Sequence, residues 1–256
     1  MAERIVGPLR AEHIESASDK FTAPLLLVPG LWGRAADWRA VAGYLAHRGW
    51  RCTALEMRVR ADGSSAASLA ERAADLRAAL TACEVPPVVI GHDLGALLAV
   101  QCADAARATV ALAPLVGPPL TPAAEALQHA GTWLTRRRGA PLRAPGGRWR
   151  PAYPNRDTDE PAELIRELLV RAPAVSRAVH TPRAVFSATA DPVTPIAAAT
   201  ALATWIGADL HVLPSGGHAL WGGPGWEAHA AALHRWLIQH LGGDLLALYD
   251  EAMDPS

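Results

Sequence analysis

The chain has 256 residues, half of them hydrophobic, which suits one α/β domain with an insertion or two small domains and fills a sizeable core. Twenty-four basic residues (Lys20 is the only lysine) against 25 acidic ones leave a net charge of −1, which excludes both a basic field for nucleic acid and an acidic solvating tail. Three cysteines (Cys52, Cys83 and Cys102) with no CxxC pair argue against a disulfide framework or a zinc ribbon, and no apolar run approaches the roughly 20 residues of a membrane span, so a cytoplasmic setting is expected.

In chain order, residues 1–22 are weakly patterned, with room for one or two edge strands. The apolar run from Ala23 to Val28, stopped by Pro29-Gly30, reads as a buried parallel strand. Trp38, Val41 and Leu45 predict a helix over 35–48, ended at Gly49, and 51–56 a second strand. Ser64-Ser65 offers an N-cap for a helix over 66–82. Val88-Val89-Ile90 is a third strand, 94–105 a helix and 109–113 a fourth strand. Towards the end, strands over 184–188 and 210–213 are followed by helices over 196–206 and 225–241. Strand and helix alternating in this way mean a mostly parallel sheet with helices on both faces.

Residues 115–182 break the alternation, with no strand-like run and two helical patterns, 121–138 and 160–171, around a stretch rich in Pro, Gly and Arg. A loop of that length does not belong inside a compact sheet domain. The expected organisation is a core of 1–114 and 183–256 with a helical lid inserted over 115–182.

The most informative segment is Val88-Val89-Ile90-Gly91-His92-Asp93-Leu94-Gly95, a strand running through Gly-x-x-x-Gly into a helix. Small residues flank the middle position because the chain turns there too sharply for a Cβ on either side. The turn lifts the central side chain above the carboxyl edge of the sheet, with helix amides behind it.

With Asp93 in that position the chain resembles the α/β-hydrolase superfamily, over residues 23–114 and 183–241. Three more stretches carry the resemblance: Val28-Pro29-Gly30-Leu31-Trp32-Gly33 at the oxyanion loop, Ala190-Asp191-Pro192-Val193-Thr194-Pro195 at the acid loop, and Gly216-Gly217-His218 at the histidine loop. The resemblance implies a triad of Asp93, His218 and Asp191, oxyanion amides from Leu31 and Leu94, and no metal or cofactor. An aspartate at the elbow is similar to epoxide hydrolases and dehalogenases, where the carboxylate forms an alkyl ester that a histidine-activated water breaks. Leu94 and Leu31 replace the halide donors of the haloalkane branch, which disfavours dehalogenation. Of the paired lid tyrosines usual in epoxide hydrolases, only Tyr153 has a counterpart. The second reading is a lyase or cyclase that uses Asp93 as a general base without a covalent intermediate.

Other features have plainer readings. Trp32 is placed to line the pocket, and Trp133 and Trp149 to give the lid apolar surface. His92 reads as a packed scaffold residue, and Arg58 and Arg60 as structural. The arginines from Arg136 to Arg150 form a solvated face or draw an anionic or carrier-bound small-molecule substrate. His13, His47, His180, His229, His234 and His240 are scattered without metal-ligand spacing, and nothing in the sequence speaks to oligomeric state.

Overall fold

The computed structural model describes residues 2–16, 18–115, 142–143, 159–170, 175, 179–191, 193–223 and 225–243. Ten strands are described: β1 (Ala2–Val6), β2 (Leu9–Ile14), β3 (Leu25–Val28), β4 (Cys52–Arg60), β5 (Val88–His92), β6 (Ala108–Leu112), β7 (Leu142–Arg143), β8 (Asp159–Glu160), β9 (Arg183–Ala188) and β10 (Asp209–Leu213). The described α-helices are α1 (Arg39–His47), α2 (Leu69–Thr81), α3 (Leu94–Gln101), α4 (Ala162–Val170), α5 (Ile196–Ile206) and α6 (Trp226–Leu241).

Eight strands form one sheet in the order β1-β2-β4-β3-β5-β6-β9-β10. The β1–β2 and β2–β4 pairs are antiparallel and all the others parallel. Every residue of β3, β5, β6 and β9 is buried, as a parallel sheet covered on both faces requires. On one face α1 packs against α6, and on the other α3 lies over β5 and β6 with α2 beside it. Helix α3 is apolar nearly all round and has only one residue, Gln101, that is not buried. That composition fits a helix enclosed by sheet and neighbours rather than one with a wet face.

The expected α/β-hydrolase architecture is present, with differences at element ends. The helix expected from residue 35 begins as a 3-10 turn, Ala35–Trp38, before α1. Helix α2 starts later than expected, because Ser68 rather than Ser64 or Ser65 is its cap. The Ser68 hydroxyl accepts the Glu71 amide while the Glu71 carboxylate accepts the amides of Ala67 and Ser68. This reciprocal box satisfies amides that a start at Ser65 would leave open. Strand β4 runs four residues beyond the expected end at 56, and its extension pairs with Leu9 of β2 past a bulge. Residues 2–14 form the β1–β2 hairpin on the sheet edge.

The expected helix at 121–138 lies outside the described residues. Within 115–182 the described strands and helix are the two-residue strands β7 and β8, paired antiparallel, and α4, which covers most of the helix expected at 160–171. The strands are too short to give an alternating pattern in sequence. Leu164, Ile165 and Leu168 of α4 join the main core. Cys52, Cys83 and Cys102 are free thiols, with Cys52 pushed up to about 12 by burial.

Replacing Ser68 with alanine removes the cap of α2. Urea unfolding of Ser68→Ala is expected to show a loss of about 1 kcal/mol.

Candidate active site

Four loops at the carboxyl ends of β3, β5, β9 and β10 meet at the crevice where parallel α/β sheets place their ligands. At the tip of β5, Asp93 takes φ 53° and ψ −116°, a conformation that ordinary residues avoid. A Cβ at Gly91 would overlap the backbone of Gly95 and Ala96, and one at Gly95 would overlap the carbonyl groups of Val28 and Pro29. A Cβ at Gly30 would lie 2.6 Å from Asp93 Cβ. The elbow therefore exists because three backbone segments touch where side chains are missing. The Asp93 carbonyl accepts amides from Ala96, Leu97 and Leu115, which fixes the turn from the helix side.

The Asp93 carboxylate is fully buried. The Leu31 amide donates to Oδ2 at 2.9 Å, and the Leu94 amide also bonds the carboxylate. Oδ1 has no hydrogen-bond partner and faces His218 Nε2 at 3.8 Å. On the other side of the imidazole, Nδ1 lies 3.0 Å from Asp191 Oδ2 and 3.2 Å from Oδ1. Asp191 Oδ1 is held in turn by the amides of Val193 and Thr194, at 2.7 and 3.0 Å. The structure thus brings Asp93, His218, Asp191, Leu31 and Leu94 together.

Burial pushes the Asp93 carboxyl up to about 6, against the pull of His218 and the Leu31 and Leu94 amides. Burial alone would lower His218, but the charge and hydrogen bond of Asp191 and the charge of Asp93 outweigh it and raise the imidazole above its ordinary value. His92 is driven well below its ordinary value by burial and by the nearby His218. A neutral His92 then donates Nε2–H to the His218 carbonyl, 2.9 Å away, leaving Nδ1 as a lone pair without a partner. Its ring packs on Trp221, with centroids 3.7 Å apart. Trp221 in turn stacks on Trp38.

Trp32 does not present its amide to the Asp93 carboxylate. It is fully buried at φ 56°, and its amide donates to Glu160 Oε1 at 2.8 Å. Tyr153, Trp133, Trp149 and the side chains of Arg136, Arg137, Arg138, Arg143, Arg148 and Arg150 lie outside the described residues. Arg60 binds Asp75 of α2 through Nε at 2.8 Å, and Arg58 lies 3.6 Å from Glu56.

Three supporting residues had no sequence signal as such. Glu160 and Arg72 form a fully buried ion pair beneath the oxyanion loop. His229 faces two carbonyl groups of the histidine loop, Leu220 at 2.9 Å and Ser215 at 3.0 Å. Glu160 opens the helical pattern at 160–171, where an acidic residue is ordinarily solvated, Arg72 is polar in a helix where a solvated face is the default, and His229 is one of several scattered histidines. Among the described residues, His92, Asp93 and His218 are the group whose potential metal-ligand atoms converge, within 4.8 Å of one another. A metal there would use the atoms through which Asp93 and His218 face each other. No described helix is long and apolar enough to cross a membrane.

This arrangement of sheet, elbow and loops is that of a hydrolase fold, and the sequence agrees: residues 25–234 match the alpha/beta hydrolase family, to which the chain belongs. Solved structures extend the likeness along the whole fold. A thermophilic esterase from Thermogutta terrifontis is 16% identical with a TM-score of 0.69, covering 94% of this chain and 100% of its own. A monoacylglycerol lipase from Paleococcus ferrophilus is 19% identical with a TM-score of 0.70 over 91% and 99% of the two chains. An epoxide hydrolase from Bacillus megaterium, in complex with an inhibitor, is 12% identical with a TM-score of 0.68 over 92% and 99%. A search of curated proteins gave no match.

The raised Asp93 carboxyl has a consequence for stability. A carboxyl that binds its proton more tightly in the folded state favours folding while protonated, below its unfolded value near 3.8, and loses that contribution as pH rises through about 6. Asparagine in its place keeps an acceptor for the amides and never ionises. Unfolding experiments across pH are expected to find Asp93→Asn gaining on the wild type between pH 4 and 6, then holding a constant advantage of up to about 3 kcal/mol.

Proposed function

We propose that this α/β-hydrolase uses Asp93 as a carboxylate nucleophile towards an electrophilic carbon, an epoxide carbon above all, and releases the product by hydrolysing the resulting ester. The observation that carries this reading is the division of labour within one carboxylate. Oδ2 already rests against the Leu31 amide, while Oδ1 is unbonded and faces His218 Nε2 at 3.8 Å.

In the first step Oδ1 forms a bond to the substrate carbon and a carbon–oxygen bond of the substrate breaks. The departing oxygen keeps the electron pair and takes a proton from a donor, for which Tyr153 is the candidate, with a lid tryptophan able to add a hydrogen bond. In the second step His218 removes a proton from water, whose oxygen adds to the Asp93 carboxyl carbon. Charge then gathers on Oδ2, where the Leu31 amide already points, so stabilisation needs little reorganisation. The bond from the carboxyl carbon to Oδ1 breaks, and Oδ1 leaves with the product after taking the proton from His218. Asp191 orients the imidazole and balances its charge. The Trp32 ring is the pocket-lining candidate beside Leu31. The substrate is a small molecule, and the arginines of 136–150 suit an anionic or carrier-bound one.

One observation favours a second reading. A carboxyl at about 6 is well matched to general-base work near neutral pH, as in an elimination or ring closure of a biosynthetic lyase or cyclase.

Single-turnover reaction in oxygen-labelled water separates the two. The nucleophile reading expects unlabelled product from the first turnover, label in the Asp93 peptide, and an alkyl-ester adduct accumulating on His218→Ala, because the second step loses its base. An Asp93 peptide that gains no label, with no adduct on His218→Ala, would promote the base reading.

A further inference from the structure

We propose that Glu160 is a positioning residue that aims the oxyanion loop, holding the backbone of Leu31 and Trp32 from outside the active site.

Trp32 is a bulky residue at φ 56°, where side chains other than glycine are strained, and such a conformation persists only when its surroundings fix it. On the described residues one carboxylate does this: Glu160 Oε1 accepts the Trp32 amide at 2.8 Å. The preceding amide, that of Leu31, is the one that donates to Asp93 Oδ2. Two successive amides of one turn thus hold two different buried carboxylates, and rotation about either peptide moves both. Gly33 closes the turn by donating to the Gly30 carbonyl at 3.1 Å.

Glu160 is itself held. Its other oxygen pairs with Arg72 of α2, and both side chains are almost wholly withdrawn from water. A buried charge without a partner costs several kcal/mol, so the guanidinium confines the carboxylate to one place. Arg72 also donates through Nε to the Ala66 carbonyl at 3.4 Å. Seven residues further along, Glu167 Oε2 accepts the Leu69 amide at the start of α2, at 2.7 Å. The segment that re-enters the core at β8 and α4 is therefore fastened to α2 at two points and to the oxyanion loop at a third. Seating of that segment and direction of the Leu31 amide are one structural variable.

The test replaces the buried pair by apolar side chains of similar volume, Glu160→Met with Arg72→Met, so that no charge is stranded. A control, Glu160→Gln with Arg72→Met, keeps an acceptor for Trp32 without the ion pair. The readout is the titration of Asp93 followed by carbon-13 NMR of labelled aspartate, with Asp93→Asn giving the assignment. Losing the Leu31 hydrogen bond is expected to move the Asp93 midpoint up by roughly one unit in the double-methionine variant, while the glutamine control stays at the wild-type value. The single variant Glu160→Asp keeps the charge beside Arg72 but draws the carboxylate back by one methylene, and shifts the midpoint the same way. It serves if the methionine pair does not fold. An unmoved midpoint in a folded double-methionine variant or in Glu160→Asp would overturn the proposal, as would a glutamine control that shifts like the others. A fall of about tenfold or more in the rate of ester breakdown is expected as well, and this part alone rests on the nucleophile reading. The Asp93 titration does not depend on it, so failure of that reading and failure of this proposal are told apart.

Discussion

A carboxylate with no exposure to water, at the tip of a fully buried strand, is the constraint around which this fold is arranged. An isolated charge there is untenable, and the protein answers with backbone amides from two directions and an imidazole from a third. Each answer imposes a demand elsewhere. The amide of Leu31 reaches Asp93 only if the β3 loop comes close enough that Gly30 has no side chain. The amide of Leu94 requires α3 to begin at once after the elbow, which brings Gly95 against the carbonyl groups of Val28 and Pro29. The imidazole must itself be oriented, so Asp191 is tied to Val193 and Thr194 before it can hold His218. Residual cost is visible in the carboxyl of Asp93, which burial pushes up to about 6.

The fold and the converging loops were legible because they depend on local patterns. Apolar runs ending in Pro-Gly or Gly mark strands buried on both faces, and the two glycines about Asp93 mark a close approach that no other spacing explains. That Asp93, Asp191 and His218 sit on loops that converge was implied by the family resemblance, and it agrees with a parallel sheet putting its strand-to-helix loops on one edge. Element ends were less legible. Ser64, Ser65 and Ser68 are equally good caps in isolation, and only Glu71 at the third helical position selects Ser68. The support beneath the site was hidden for a different reason. Glu160 and Arg72 are charged residues whose ordinary place is the surface, and 88 positions separate them. Nothing local distinguishes a buried partner from a solvated one. His229 is similar, a helix residue whose meaning lies in the loop it touches.

An esterase, a monoacylglycerol lipase and an epoxide hydrolase share this backbone at identities of 12 to 19%. Such a spread says that the sheet and its loops fix positions rather than reactions. In this chain the Leu31 amide is directed at an oxygen of Asp93 itself, so that donor rests on the protein's own carboxylate.

Several contacts that define the site join parts of the chain that are far apart in order. Leu31 and Asp93 are separated by 62 positions, His92 and the His218 carbonyl by 126, and Trp32 and Glu160 by 128. Closing loops of that size is the slow part of folding, because chain entropy is spent before the contact repays it. The β3–β5 pairing can form once the first hundred residues are present, but the imidazole and its acid arrive from the other end of the sheet. During synthesis from the amino terminus, Asp93 is therefore laid down long before the groups that come to face it. The growing chain carries the elbow first, and the cluster around it is complete only as the last strands dock.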